Sequence, residues 1–138
     1  MLNKQIQVNI IGTSNIVSCA LKQMRQKKFG RIILASSIMA EKPAFGTSVY
    51  AASKNYIESF AKTCSIENGA LGITCNTIQL GYFDAGLTYK IKEDMLESII
   101  KTIPAKRLGT VEEIFNLIDC IIKTPYINGS SIQINGGL

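Results

Sequence analysis

Long apolar-periodic stretches alternate along the chain with short, continuously apolar ones. From Leu2 to Lys28, apolar residues return every three or four positions, which predicts one long helix ended by Gly30. Its inner face is predicted to hold Val8, Ile11, Val17, Ala20, Leu21 and Met24. A second helix is predicted from Ser48 to Asn68, with Ile57, Phe60, Ala61 and Cys64 facing inward.

The short apolar runs are rich in β-branched residues, which is typical of strands in a parallel sheet. These predicted strands are Arg31–Ala35, Ile73–Gln79 and Ser131–Ile134. The first of them is apolar throughout after its arginine, so we expect it to be covered on both faces.

Two more helices are predicted between the second and third strands, at Lys92–Thr102 and Val111–Ile122. Thr110 and Glu113 have the spacing of a capping box at the start of the later helix. Helices and strands therefore alternate, which predicts an α/β fold: a partial doubly wound, Rossmann-like arrangement of three parallel strands with flanking helices.

Length and charge narrow the function classes. The 138 residues suffice for one domain, and 46% apolar with 18% charged residues is a globular composition. The net charge of +5 is spread along the chain, apart from one basic run that we interpret as the solvated last turn of the first helix. That run is Lys22, Arg25, Lys27 and Lys28. We therefore expect no nucleic-acid partner.

The chain has no histidine, which excludes a Ser-His-Asp triad, a Cys-His dyad and most zinc sites. Its four cysteines form no Cys-x-x-Cys pair and predict buried thiols in a reducing compartment. They are Cys19, Cys64, Cys75 and Cys120. Polar residues follow Met1, and no apolar run is long enough to cross a bilayer, so we expect a cytoplasmic protein without a membrane or metal partner.

One pair of residues suggests chemistry. Tyr50 and Lys54 lie four positions apart on the second predicted helix, so both side chains can point into one pocket. A phenol beside an ammonium is an acid/base arrangement, because the cation favours the phenolate. The alternative is a surface pair on an amphipathic helix. Ser37, thirteen residues before Tyr50 at the end of the first strand, adds a hydroxyl to the candidate pocket.

Together these residues resemble the short-chain dehydrogenase/reductase family. Gly-Arg-Ile-Ile precedes a Ser-Ser pair, and Ala-Ala-Ser separates Tyr50 from Lys54. Arg107-Leu108-Gly109 with the following glutamates resembles the family's Arg-Leu-Gly-x-x-Glu-Glu turn, and residues 126–137 resemble its last strand and terminus. Asn9 has the spacing of the family's catalytic asparagine. By this resemblance, residues 1–138 are the C-terminal, catalytic half of the fold, and the N-terminal nucleotide-binding half is absent.

The resemblance implies reversible hydride transfer between a nicotinamide cofactor and a carbonyl or alcohol. Tyr50 would be the general acid, Lys54 would favour its phenolate and bind the nicotinamide ribose, and Ser37 would orient the substrate oxygen. Asn9 would anchor a water that links Lys54 to solvent. The alternatives are a loop serine that caps backbone groups and a structural mid-helix asparagine.

The implied cofactor is NAD(H) or NADP(H), bound by Tyr50, Lys54, Gly81 and the Phe83 backbone. The choice between the two dinucleotides stays open. The family's glycine-rich turn, which holds the pyrophosphate, has no counterpart in these residues, so we expect weak cofactor binding and little or no catalysis by this chain alone. The chain also has Ala85 where the family usually has a threonine that helps to hold the carboxamide.

The expected substrate is a small carbonyl compound or alcohol, and 3-oxoacyl thioesters and sugars are equally compatible with the loop 80–90. Residues 2–28 and 48–68 resemble the helices that pair across the family's dimer interface, so a homo-oligomer is expected. A different function class therefore stays open: a dimerising or partner-binding module without chemistry. Self-association without dinucleotide binding would distinguish it from an enzyme.

Overall fold

The computed structural model describes residues 2–138, apart from the side chain of Leu2. The helices are α1 (Leu2–Gln5), α2 (Thr13–Lys27), α3 (Ser48–Asn68), α4 (Glu93–Thr102) and α5 (Val111–Lys123). The strands are β1 (Gly30–Ser37), β2 (Ile73–Leu80) and β3 (Ser131–Ile134). All three strands are parallel and lie in the order β1-β2-β3, which confirms the predicted α/β fold.

The central strand β2 is the most buried element. Residues 73 to 79 are all buried, as expected for a strand that pairs on both edges. The prediction that the first strand is covered on both faces is wrong, because Ala35 of β1 is exposed. Since β1 is an edge strand in the described sheet, its side chains lack the neighbours that a further strand would supply.

The predicted single helix from Leu2 to Lys28 is interrupted by a π-helical segment, Ile6–Gly12. A π-turn holds more residues than an α-turn, so a face counted at α-helical spacing drifts out of phase there. Val8 and Ile11, predicted to face inward, are therefore 59% and 41% exposed. Beyond the π-helical segment the prediction holds, since Val17 is buried.

The main core lies between helices α2 and α3 and the sheet. Its buried members are Val17, Leu21, Ile32, Ala61, Cys64, Ile73 and Cys75. Two of the four cysteines are thus buried as predicted. Cys19 and Cys120 are exposed, contrary to the prediction, because each lies on the outward face of its helix.

Apart from the interruption of the first helix, the predicted and observed boundaries differ by at most two residues, and α3 and β3 begin and end as predicted. Short 3₁₀ turns occupy parts of the connections, and the turn Ile38–Ala40 follows directly after β1. The predicted capping box is confirmed at the start of α5, where the Thr110 hydroxyl accepts from the Glu113 N–H. In the described part of the chain, no helix combines the length and the apolarity needed to cross a bilayer.

Candidate active site

The predicted site residues converge where β1 and β2 end and α3 begins. Ser37, Tyr50 and Lys54 line one cavity of about 570 Å³, together with Gly81 and Phe83. The carboxyl ends of parallel strands are the usual location of binding sites in open α/β sheets. The structure therefore brings together five of the six predicted site residues; Asn9 does not line the cavity.

The Lys54 amine is held against the cavity wall. Its Nζ donates a hydrogen bond to the Ala35 carbonyl oxygen at 2.9 Å and lies 5.7 Å from the centre of the Tyr50 ring. Burial lowers the pKa of Lys54, and the negative charge of Glu58 opposes that change. The cation and the phenol are thus neighbours on one helix face, as the spacing predicts.

Ser37 has both a capping contact and a place in the cavity. Its Oγ accepts a hydrogen bond from the Met39 backbone N–H at 3.2 Å, which caps the short 3₁₀ turn after β1. This contact is the structural alternative considered for the serine. Because the hydroxyl is the acceptor there, its own proton stays available to a substrate oxygen.

The turn that follows Ser37 is tied to α3 and to the sheet. Asn55 donates from Nδ2 to the Ala40 carbonyl oxygen at 2.7 Å. The Glu41 carboxylate accepts from Gln79 Nε2 at 3.1 Å and from Gln133 Nε2 at 2.6 Å. These contacts fix the end of β1 relative to the start of α3. Sequence analysis missed them, since the partners of Glu41 are far apart along the chain.

Asn9 lies in the π-helical segment and supports the Tyr50 turn from outside the cavity. Its Nδ2 donates to Ser53 Oγ at 2.9 Å, and that hydroxyl donates to the Tyr50 carbonyl oxygen at 2.8 Å. Asn9 is therefore linked to the backbone of the candidate acid, and π-helical segments are frequent at functional sites. Its role as the anchor of a water near Lys54 stays a prediction.

Gly81 and Phe83, which follow β2, also line the cavity. A Cβ atom at Gly81 would lie 2.7 Å from the Asn135 Cα, so close packing against the end of the chain requires glycine here. Phe83 is buried and pairs with Gly109 in a short parallel bridge. A Cβ atom at Gly109 would lie 2.5 Å from the Phe83 ring, so this glycine sets the position of Phe83.

The Arg107–Gly109 turn is held by an ion pair. Arg107 binds the Glu113 carboxylate with two hydrogen bonds of 2.6 and 3.0 Å, and Thr110 N–H donates to the same carboxylate at 2.8 Å. Arg107 and the Thr110 N–H together lower the pKa of Glu113 to about 2. The Glu113 carboxylate thereby connects two segments: the Arg107–Gly109 turn, which positions Phe83, and the first turn of α5.

We predict that Glu113→Gln lowers the melting temperature at pH 7. Because the folded-state pKa is depressed, the stabilisation is complete above the unfolded value near ~4.3 and is lost as the pH falls towards 2. The difference in melting temperature between wild type and variant should therefore close across that range. Differential scanning calorimetry measures it, with the exposed neighbour Glu112→Gln as control; a difference that persists unchanged at pH 2 would contradict the ion-pair account.

The rest of the cavity wall is largely apolar. Its apolar side chains include Met39, Leu87, Ile91 and Ile114. Leu87 lies in the loop 80–90, which the sequence analysis related to the substrate, whereas Met39 and Ile114 were not predicted to line the site. Within residues 2–138, no group of three or more histidine, cysteine, aspartate or glutamate side chains could hold a metal ion.

Comparison with known proteins identifies the family to which the chain belongs. The family model described as enoyl-(acyl carrier protein) reductase matches residues 1–138. Acetoacetyl-CoA reductase of Allochromatium vinosum is 32% identical over 135 residues, and carbonyl reductase family member 4 of Xenopus laevis is 33% identical over 133 residues. This chain belongs to the short-chain dehydrogenase/reductase family. The predicted resemblance is thereby confirmed.

The family match has a defined extent. The chain spans about half the length of the curated relatives it matches: 96% of it aligns with 55% of the Allochromatium vinosum enzyme. For 3-oxoacyl-[acyl-carrier-protein] reductase of Escherichia coli, the identity is 29%, over 99% of this chain and 57% of that protein.

Solved structures also match the fold. A crystal structure of NAD⁺-bound xylitol dehydrogenase superposes with a TM-score of 0.91, over 99% of this chain and 59% of that one. At 19% identity this match shows the fold alone. A structure described as a putative β-ketoacyl-ACP reductase has a TM-score of 0.82 at 29% identity, over 94% of this chain and 55% of that one.

The family's use of nicotinamide dinucleotides can be compared with the residues present. Lys54, Tyr50 and Phe83 all line the cavity. The Phe83 carbonyl oxygen accepts from the Ala85 N–H at 2.7 Å, while no backbone carbonyl in residues 2–138 takes up the Phe83 N–H. An amide donor, an ammonium and a phenol at one cavity fit the nicotinamide and its ribose.

Proposed function

We propose that this chain is the catalytic half of an NAD(P)-dependent oxidoreductase of the short-chain type, and that the enzyme, once completed by a nucleotide-binding half, reduces a ketone to an alcohol reversibly. The observation that carries the proposal is the meeting of Ser37, Tyr50 and Lys54 at one cavity. A hydroxyl donor, an acid and a cation are what carbonyl reduction requires at the oxygen. The cytoplasm is the compartment that suits the free thiols.

A bound nicotinamide supplies the hydride to the carbonyl carbon. Ser37 donates a hydrogen bond to the carbonyl oxygen, since its Oγ accepts from Met39 and keeps its proton. Tyr50 gives its proton to that oxygen as charge develops there. Lys54, anchored on the Ala35 carbonyl, stabilises the phenolate that Tyr50 leaves behind. Asn9 supports this turn of α3 through Ser53 and, we propose, binds the water that returns the proton.

Among substrate classes, 3-oxoacyl thioesters are favoured over sugars. The relatives with about 30% identity include an acetoacetyl-CoA reductase and a 3-oxoacyl-[acyl-carrier-protein] reductase. The apolar wall formed by Met39, Leu87 and Ile91 suits an acyl chain better than a polyol. The choice of NADH or NADPH depends on residues that contact the adenosine ribose, and none of these 138 residues is assigned to that contact.

The proposal is tested with a completed enzyme, meaning residues 1–138 fused behind the part of the Escherichia coli reductase that has no counterpart here. The assay follows oxidation of NADH or NADPH in the presence of acetoacetyl-CoA. We expect ketone-dependent oxidation of at least one dinucleotide. A completed enzyme that binds dinucleotide and thioester but does not turn them over would contradict the proposal.

The second candidate function, a dimerising module without chemistry, is supported by an exposed apolar surface. Val8, Ile11 and Ile16 are all exposed on the N-terminal helices, and Ile16 is 72% exposed. Soluble monomers rarely expose large contiguous apolar patches, so three exposed apolar side chains within nine residues favour a covering partner. A second copy of residues 2–28 and 48–68 would cover it, and that dimer is compatible with the enzyme as well as with the module.

For the isolated chain we predict self-association and weak dinucleotide binding. Sedimentation should give about twice the 15.1 kDa chain mass, and Ile16→Lys should return it to monomer, with exposed Phe45→Lys as control.

Calorimetry should detect no tight binding of NADH or NADPH, because the residues present fit only the nicotinamide end. Dissociation near ~1 μM or tighter would contradict the second expectation. A strictly monomeric chain would contradict the first.

A further inference from the structure

Glu58 lies one helical turn beyond Lys54 on α3, so the spacing of Tyr50 and Lys54 continues to a third polar residue. Its Oε2 accepts a hydrogen bond from Thr77 Oγ1 at 2.6 Å. Its Oε1 is shut off from solvent and has no hydrogen-bond partner among the described residues. The candidate mechanism gives this carboxylate no role.

Burying a carboxylate oxygen without a hydrogen-bond partner costs folding free energy unless a positive charge lies nearby. Thr77 cannot supply one, but it fixes the carboxylate, because Thr77 is only 1% exposed and its N–H is bound to the Ser130 carbonyl oxygen at 2.9 Å. Lys54 and Lys62 each lie one turn from Glu58 along α3. Lys62 is exposed, so water screens its charge, whereas Lys54 is half-buried on the cavity side.

Lys54 has few other charges around it. The Tyr50 phenol lies beside it on α3, and β1 offers the Ala35 carbonyl. The carboxylate of Glu41, in the segment that follows β1, is engaged by two glutamine side chains. Burial lowers the pKa of Lys54, and Glu58 is the charged group that opposes that change.

We propose that Glu58 is a positioning residue that keeps the Lys54 amine protonated next to Tyr50. The inference rests on the proposed function for its catalytic meaning, although the electrostatic link exists without cofactor or substrate. Thr77 contributes to this effect, since its hydroxyl holds the Glu58 carboxylate on the inner side of α3. Tyr50, Lys54 and Glu58 then place a phenol, a cation and an anion at successive four-residue steps along α3.

The test is an NMR titration of the Lys54 side chain in the isolated chain, read from its ¹³Cε and ¹⁵Nζ shifts. Glu58→Gln should lower the titration midpoint of Lys54, because it removes the opposing negative charge and keeps an oxygen for Thr77. Thr77→Val should also lower the Lys54 midpoint, since it releases the carboxylate. Thr77→Ser keeps the hydroxyl and should leave the Lys54 midpoint at its wild-type value. Exposed Glu67→Gln, further along α3, removes a charge at a distance and is the control.

A Lys54 midpoint that coincides in wild type and Glu58→Gln would overturn the proposal. So would a shift of equal size in Glu67→Gln, since the effect would then be one of net charge. Amide spectra of each variant establish that it is folded before titration. If Thr77→Val unfolds, the test rests on the Lys54 midpoints of Glu58→Gln and Thr77→Ser. Because no substrate is present, a failed reductase assay and an unmoved Lys54 midpoint are separate outcomes.

Discussion

Tyr50→Phe should reduce carbonyl reduction by the completed enzyme by about 100- to 10,000-fold, the usual contribution of a positioned general acid. The substitution removes only the phenolic oxygen, so the ring and its place on the cavity wall beside Lys54 are kept. The affinity for dinucleotide should change little, because Lys54 and the Phe83 backbone remain. Steady-state oxidation of NADH or NADPH with acetoacetyl-CoA measures the loss in kcat.

The control for this loss is Tyr56→Phe, on the same helix but outside the cavity. The Tyr56 hydroxyl lies 2.7 Å from Ser14 Oγ, so its removal disturbs helix packing and not the cavity. We expect near-normal turnover in that variant. If Tyr50→Phe also kept near-normal turnover, the acid/base role of Tyr50 would be wrong.

Lys54→Met should lower turnover at pH 7 on the order of 100-fold and shift the pH profile of alcohol oxidation to higher pH. In that direction Tyr50 acts as the base and must be ionised, which the Lys54 cation favours. Without the cation, the phenolate forms only at higher pH, so the rising limb of the profile moves upward. Methionine keeps much of the packing volume of the lysine stem.

Lys62→Met is the matched control for the charge change, because Lys62 is an exposed lysine two turns further along α3. Its pH profile should overlie that of the wild type. A Lys54→Met profile that stayed in place would remove Lys54 as the tuning group, even if turnover fell. A fall without a shift would instead indicate that the lysine only binds the ribose.

Local signals in the sequence predicted those parts of the fold whose causes are local. Helix α3 follows from its apolar spacing, and the capping box at Thr110 follows from residues three positions apart. The convergence of Ser37, Tyr50 and Lys54 was predictable because strand ends and helix starts have fixed relations in a parallel sheet.

The features that were not predicted from the sequence have two causes: a change from α-helical to π-helical hydrogen bonding, and the lack of a strand paired with the outer edge of β1 in the described sheet. The π-helical segment shifts the phase of the first helix, and apolar spacing alone does not show this; Val8 was therefore assigned to the wrong face. Ala35 is apolar in an apolar run, yet its exposure depends on whether another strand pairs with β1. Cys19 shows that an apolar sequence context does not by itself bury a side chain.

Support of the site was also beyond the sequence, because its partners come together only in the folded chain. Nothing in the spacing pairs Glu41 with Gln133, which is 92 positions away. Glu58 is an intermediate case: its place one turn beyond Lys54 was readable, but its contact with Thr77 was not. The reacting groups were thus easier to predict than the groups that hold them in place.

The most direct test of the central claim is transfer of a label from cofactor to substrate. The completed enzyme is given acetoacetyl-CoA and dinucleotide that carries deuterium at the reducing carbon of the nicotinamide, and the product is analysed by mass spectrometry and NMR. The account predicts deuterium on carbon 3 of the hydroxybutyryl product, with at least about 100-fold less of this product formed by Tyr50→Phe in the same time. An enzyme that holds both compounds yet gives no deuterated alcohol, or gives as much in Tyr50→Phe, would contradict it.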